Sequence, residues 1–156
     1  MLSKARIFSI ACLFCSFPLY PAGAGSGADA AAAGPVQTFV EQRLKIWQER
    51  LKLESWNVTV RLVRRAELKP KTLGNIHWDA DTMTATIRVL DPADYKLAYD
   101  EMLADMEFTL VHELVHLELS SLPRSDASRR AEEHAVNQIA EAMLKLARTG
   151  ACPAHN

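Results

Sequence analysis

No stretch of this chain narrows its fold as much as residues 105–120, Asp-Met-Glu-Phe-Thr-Leu-Val-His-Glu-Leu-Val-His-Leu-Glu-Leu-Ser. Leu110, Val111, Leu114, Val115, Leu117 and Leu119 cover most of the circumference of a helix, so the helix is expected to be buried. A buried helix has to be wrapped by other elements. The polar groups it carries must find partners inside, because an unpaired buried polar group costs several kcal/mol. His112 and His116 are four residues apart, one above the other on a single helix face, and their imidazoles can aim at one point. Glu113 leaves the helix beside that face. Two neutral nitrogen donors suit Zn²⁺ better than Mg²⁺ or Ca²⁺, which prefer oxygen. The plainer reading is an amphipathic helix whose two histidines are hydrogen-bonded near the surface, and the apolar circumference counts against it.

The rest of the chain supplies one small domain around that helix. Its 156 residues suit one compact unit plus an appendage, and 49% hydrophobic with 24% charged residues is ordinary for a globular protein. A formal net charge of −1 points to neither nucleic acid nor an acidic membrane surface as a partner. Residues 1–24 differ: Lys4 and Arg6 precede an uncharged, largely apolar run from Ile7 to Tyr20, broken at Pro18 and Pro21. Ala22-Gly23-Ala24, or Ala28-Asp29-Ala30, supplies the small residues of a cleavage site. The run is too short to span a bilayer, so a cleaved export signal and a secreted or periplasmic protein are expected, with an uncleaved membrane anchor as the alternative. After cleavage no stable membrane span remains. Removing Lys4 and Arg6 from 18 basic residues leaves 16 against 19 acidic ones. Cys12 and Cys15 would go with the signal, and Cys152, alone in a polar tail at 151–156, excludes an intramolecular disulfide.

Residues 25–35, nearly all Ala, Gly and Ser, read as a flexible linker, with the domain at 36–150. From Pro35 to Glu54 the apolar positions Val36, Phe39, Val40, Leu44, Trp47, Leu51 and Leu53 are spaced as on an amphipathic helix with Pro35 in its first turn. Trp56–Val63 alternates with period two, with Trp56, Val58, Val60 and Leu62 on the buried face, as a strand does. The basic stretch 64–73 reads as a loop. Leu73–Trp78 and Thr84–Leu90 read as two more strands, turned at Asp79-Ala80-Asp81-Thr82. Asp91-Pro92-Ala93-Asp94 leads into the central helix, and residues 126–149 form a last helix with Val136, Ile139, Ala140, Met143, Leu144 and Ala147 as its stripe. The expected fold is therefore α+β: an N-terminal helix, a small three-stranded antiparallel or mixed sheet, the histidine helix and a C-terminal helix.

A catalytic zinc takes three protein ligands and keeps a position open. Glu118 points to the other side of its helix and Glu141 lies too far along the last one, which leaves Glu132, Glu133 and His134. Glu133 shares a face with Val136, Asn137 and Ala140, Glu132 lines up with Val136 and Ile139, and His134 aligns less well. The pair His112-Glu-Leu-Val-His116 and Glu133-His-Ala-Val-Asn137 resembles the gluzincin arrangement, H-E-x-x-H on one helix and E-x-x-x-D/N on the next. The likeness covers about residues 84–145, and the size is similar to minimal zincin domains such as the ImmA/IrrE-like and SprT-like groups. The resemblance implies a zinc metallopeptidase acting on a peptide or protein substrate, with His112, His116 and Glu133 as metal ligands and Asn137 supporting His112. It implies Glu113 as the general base for a water activated by the metal. It also implies an edge strand that binds the substrate, for which Thr84–Leu90 is the candidate, and an oxyanion donor among His134, Tyr95, Tyr99 and His77. The alternatives are a zinc-binding interaction module without catalysis, against which the intact Glu113 argues, and a zinc amidohydrolase, for which no upstream cysteine ligand is present. Substrate specificity and oligomeric state are not written in these patterns.

Overall fold

Strand alternation and helical stripes become six main elements in the computed structural model, which describes residues 27–123 and 125–150. They are α1 (Gly27–Arg50), β1 (Asn57–Val63), β2 (Gly74–Asp79), β3 (Thr84–Leu90), α2 (Tyr99–Glu118) and α3 (Asp126–Gly150), with single 3-10 turns at Arg65–Glu67, Pro92–Asp94 and Leu119–Ser121. The fold is α+β, three helices and a three-stranded mixed sheet among the described residues. The expected export signal and Cys152 lie outside those residues. Among the residues described, no helix is long and apolar enough to cross a membrane.

The first helix departs from its expected limits. It begins at Gly27, runs through most of the stretch that composition reads as a linker, and carries Pro35 inside it rather than at its start. The physical reason is the run of alanines, the strongest helix former, which composition groups with Gly and Ser. Val36, Val40, Leu44 and Trp47 are all buried, a stripe at helical spacing that packs on α2.

The sheet corrects a second expectation. Its order is β1-β3-β2, with β1 parallel to β3 and β2 antiparallel to β3. Thr84–Leu90 is therefore the central strand, hydrogen-bonded on both sides and unable to accept another. Its composition agrees: Ala85, Ile87, Val89 and Leu90 are all buried. The edge strand facing α2 is β2. The hairpin between β2 and β3 closes where Asp79 Oδ1 accepts from the backbone N–H of Asp81 at 2.9 Å and of Thr82 at 3.4 Å, with Met83 at φ 51°.

Helix α2 lies at the centre. Met106, Leu110, Val111 and Leu114 are fully buried beneath the sheet and between the other helices. Each such side chain contributes about 1.5–3 kcal/mol, so this helix carries the largest share of the core. Its one buried acid outside the histidine region is Glu107, 9% exposed. Glu107 accepts from Trp47 Nε1 at 2.7 Å and from the Arg43 guanidinium, both on α1, so the charge is paired. Helix α3 packs on α2 through Val136, Ala140 and Leu144. On the far face of the sheet a smaller cluster, Val63, Leu68 and Leu90, is closed by Tyr95.

Candidate metal centre

Three of the expected residues meet where α2 and α3 cross. The buried face of α3, Val136 and Ala140, turns Glu133 and Asn137 toward α2, because these residues stand three, four and seven positions apart on one stripe. The Nε2 atoms of His112 and His116 are 3.1 Å apart. Glu133 Oε2 is 3.4 Å from His112 Nε2, and Glu133 Oε1 is 3.4 Å from His116 Nε2. One donor atom from each of the three residues falls within 4.8 Å of the others.

The other imidazole nitrogens are tied down. His112 Nδ1 lies 3.0 Å from Asn137 Oδ1, and His116 Nδ1 lies 3.1 Å from Glu132 Oε1. An amide or carboxylate oxygen only accepts, so each Nδ1 is the protonated nitrogen and each Nε2 turns its lone pair toward Glu133. That is how imidazoles are oriented when they ligate a metal. Two imidazole nitrogens and a carboxylate, with one side open to a cavity, match the donor set of a three-ligand zinc site. Burial holds His112 below the usual imidazole range, the neighbouring His116 adds to this, and Glu133 and Asn137 oppose it.

Glu113 is 7% exposed and turns toward β2. Its Oε1 comes within 3.7 Å of where a side chain on Gly74 would begin, and the backbone of Ile76 hydrogen-bonds it. Burial, with the charge of Glu133 adding, pushes its carboxyl up to about 7. Gly74 is required by this packing. A Cβ there would stand 2.5 Å from Thr109 Cγ2 and 2.8 Å from the carbonyl of Arg88, so only glycine lets β2 lie this close to α2.

The cluster opens into a cavity of about 560 Å³ between α2, α3, β2 and the Lys69–Leu73 turn, a size that suits a small ligand or a few residues of a peptide. None of the four candidate oxyanion donors lines it. His134, His77 and Tyr99 are exposed elsewhere. Tyr95 donates to Asp105 Oδ2 at 3.0 Å and borders a separate cavity. Glu118 and Glu141 are exposed and away from the site. Glu132, the alternative ligand, meets the outer nitrogen of His116 instead. That role is hidden in the sequence because it depends on which ring nitrogen faces α3. Sequence reasoning also missed the Glu107–Arg43–Trp47 group, although an acid in an otherwise apolar helix is a signal that asks for a buried partner. Compared with protein-family models, curated proteins and solved structures, the chain matches none of them.

Proposed function

We propose that this protein is a zinc-dependent metallopeptidase of the zincin type. The observation that carries the reading is the convergence of His112 Nε2, His116 Nε2 and the Glu133 carboxylate on one point, with the buried carboxylate of Glu113 beside them on the cavity side. His112, His116 and Glu133 would hold the ion, and Asn137 and Glu132 keep the two rings aimed. A zinc ion there would supply Lewis acidity, polarising a peptide carbonyl and acidifying water.

The remaining chemistry belongs to the chain. Glu113 stands between the metal ligands and the edge of β2, where it can take the proton of an attacking water and pass it to the departing amide nitrogen. Among the described residues no strand pairs with the outer edge of β2, and Leu73–Ile76 line the cavity. An extended peptide can add to that edge through backbone hydrogen bonds, which places a carbonyl over the cluster without demanding particular side chains. Residues 1–24, read as an export signal, would put this activity outside the cytoplasm.

The test uses the full-length protein, with zinc content measured alongside cleavage of a quenched peptide library. About one zinc per chain, cleavage lost to a chelator and restored by added zinc support the reading. Failure to retain zinc contradicts it. Zinc retained without cleavage of any peptide favours a non-catalytic zinc-binding module.

A further inference from the structure

One wall of the cavity carries charge that hydrolysis does not use. Lys69-Pro70-Lys71-Thr72 forms a tight turn just before β2, in which Lys69 O accepts from the Thr72 backbone N–H at 3.2 Å and from its hydroxyl at 2.9 Å. Pro70 takes the second position and Lys71 the third, at φ 66°. A proline followed by a left-handed residue marks a type II turn, whose third position favours glycine. The chain holds a lysine there against the conformational preference. The turn is braced, since Arg65 Nη1 donates to Thr72 O at 2.7 Å and the Leu90 N–H donates to Leu73 O at 2.9 Å. Lys69 and Lys71 are exposed and line the cavity, and neither side chain makes a hydrogen bond or ion pair among the described residues. The wall opposite carries Asp105, Glu113, Glu132 and Glu133.

Position along β2 gives this asymmetry a direction. Glu113 meets the strand at Gly74 and Ile76. Lys71 is three residues before Gly74, about 10 Å of extended chain at most. Trp78, two residues beyond Ile76, lines the cavity at its other end. A peptide lying along β2 thus has two ammonium groups near one end and an indole near the other. We infer that the Lys69–Lys71 turn selects substrates bearing a carboxylate on that side of the cleaved bond, within about three residues of it. The inference rests on the peptidase reading of the cavity. An Asp or Glu side chain and the carboxylate of a chain end offer the same chemistry to the two lysines.

The experiment uses zinc-loaded full-length protein and one neutral parent peptide, with Asp placed in turn at each of three positions on either side of the cut, and with the C-terminus free or amidated. We expect kcat/KM to rise about fivefold or more for an acid on one side only, and the advantage to shrink as salt is raised. In the double variant Lys69→Ala with Lys71→Gly, glycine suits the backbone of the turn, and the ratio of acidic to neutral rates should fall to about one. Lys45→Ala, exposed on α1, should keep the wild-type ratio. An advantage abolished by amidation assigns the chain end, and one that follows internal Asp assigns the side chain. Equal rates for acidic and neutral peptides, or a preference that survives in the double variant, overturn the inference. If no peptide is cut, the peptidase reading fails separately, and fluorescence titration of the same peptides decides this one. Tighter binding of acidic peptides that is lost in the double variant supports it, and equal binding overturns it.

Discussion

Glu132 and Glu133 are neighbours in sequence and do different work. Consecutive helix residues point about 100° apart, so one carboxylate reaches the inner nitrogens of the two rings and the other the outer nitrogen of His116. In the proposed metal site this separates a ligand from a group that aims a ligand. Losing an aiming group costs about 10–100-fold in metal affinity. Glu132→Ala and Asn137→Ala are therefore expected to weaken zinc binding by about that factor, and Glu133→Ala by more, as read by competition with a zinc chelator. Equal losses at Glu132 and Glu133 would contradict the assignment. The positions of Val136 and Ala140 in the sequence already put Glu133 on the face toward α2, where it lies beside both imidazoles. The partner of each Nδ1 was not legible there, because it depends on side-chain rotamers and on the angle at which two helices cross. The oxyanion donor failed for a similar reason: residue type nominated His77, His134, Tyr95 and Tyr99, and tertiary placement kept all four out of the cavity.

Apart from α1, which begins at Gly27 rather than at Pro35, the strands and helices are close to their expected limits, because the period-two and 3.6-residue patterns are local. Lateral order is different. Alternation assigns each side chain to a face but says nothing of which strand lies between the others, so β3, the expected edge, is in fact the centre. What brings β2 against α2 is a single missing side chain. Gly74→Ala forces a contact with Thr109 and the Arg88 carbonyl to open, with an expected loss of about 1–3 kcal/mol in chemical denaturation. It should also reduce cleavage while zinc stays bound, since only the Glu113 side of the site shifts. At the end of β1, Asp94 Oδ2 accepts from Arg64 Nε at 2.9 Å and from the Arg65 N–H at 2.7 Å, and these bonds hold its carboxyl below the usual range. A depressed carboxyl stabilises the folded state above its unfolded pKa near ~4 and loses that contribution as pH falls below it. Arg64→Ala should therefore melt lower than wild type at pH 7, with the gap narrowing as pH falls below ~4 and through the lowered range of the folded carboxyl. A gap that persists in acid would mean that the guanidinium acts through packing alone.

At the scale of the molecule, α2 serves as both core and site. Its apolar sides hold α1, α3 and the sheet, and its remaining face carries His112, Glu113 and His116. The site therefore cannot be formed without the fold, and each buried charge on α2 has to be met from another element. Arg43 and Trp47 meet Glu107 from α1, so Arg43→Ala leaves a buried carboxylate short of its cation and should cost about 1–3 kcal/mol by denaturation. That α2 is buried and bears a metal-like spacing could be read from residues 105–120 alone. That α1 supports it through Glu107 required the packed structure. The most direct test of the account as a whole is Glu113→Gln beside wild type, with zinc content and peptide cleavage measured on the same preparations. The amide keeps the size of the carboxyl it replaces, and position 113 supplies none of the three proposed ligands, so the variant should hold as much zinc as wild type. Its cleavage rate should fall by about a hundredfold or more. Cleavage that survives at the wild-type rate, with zinc still bound, would contradict the central claim that Glu113 is the base of a metallopeptidase.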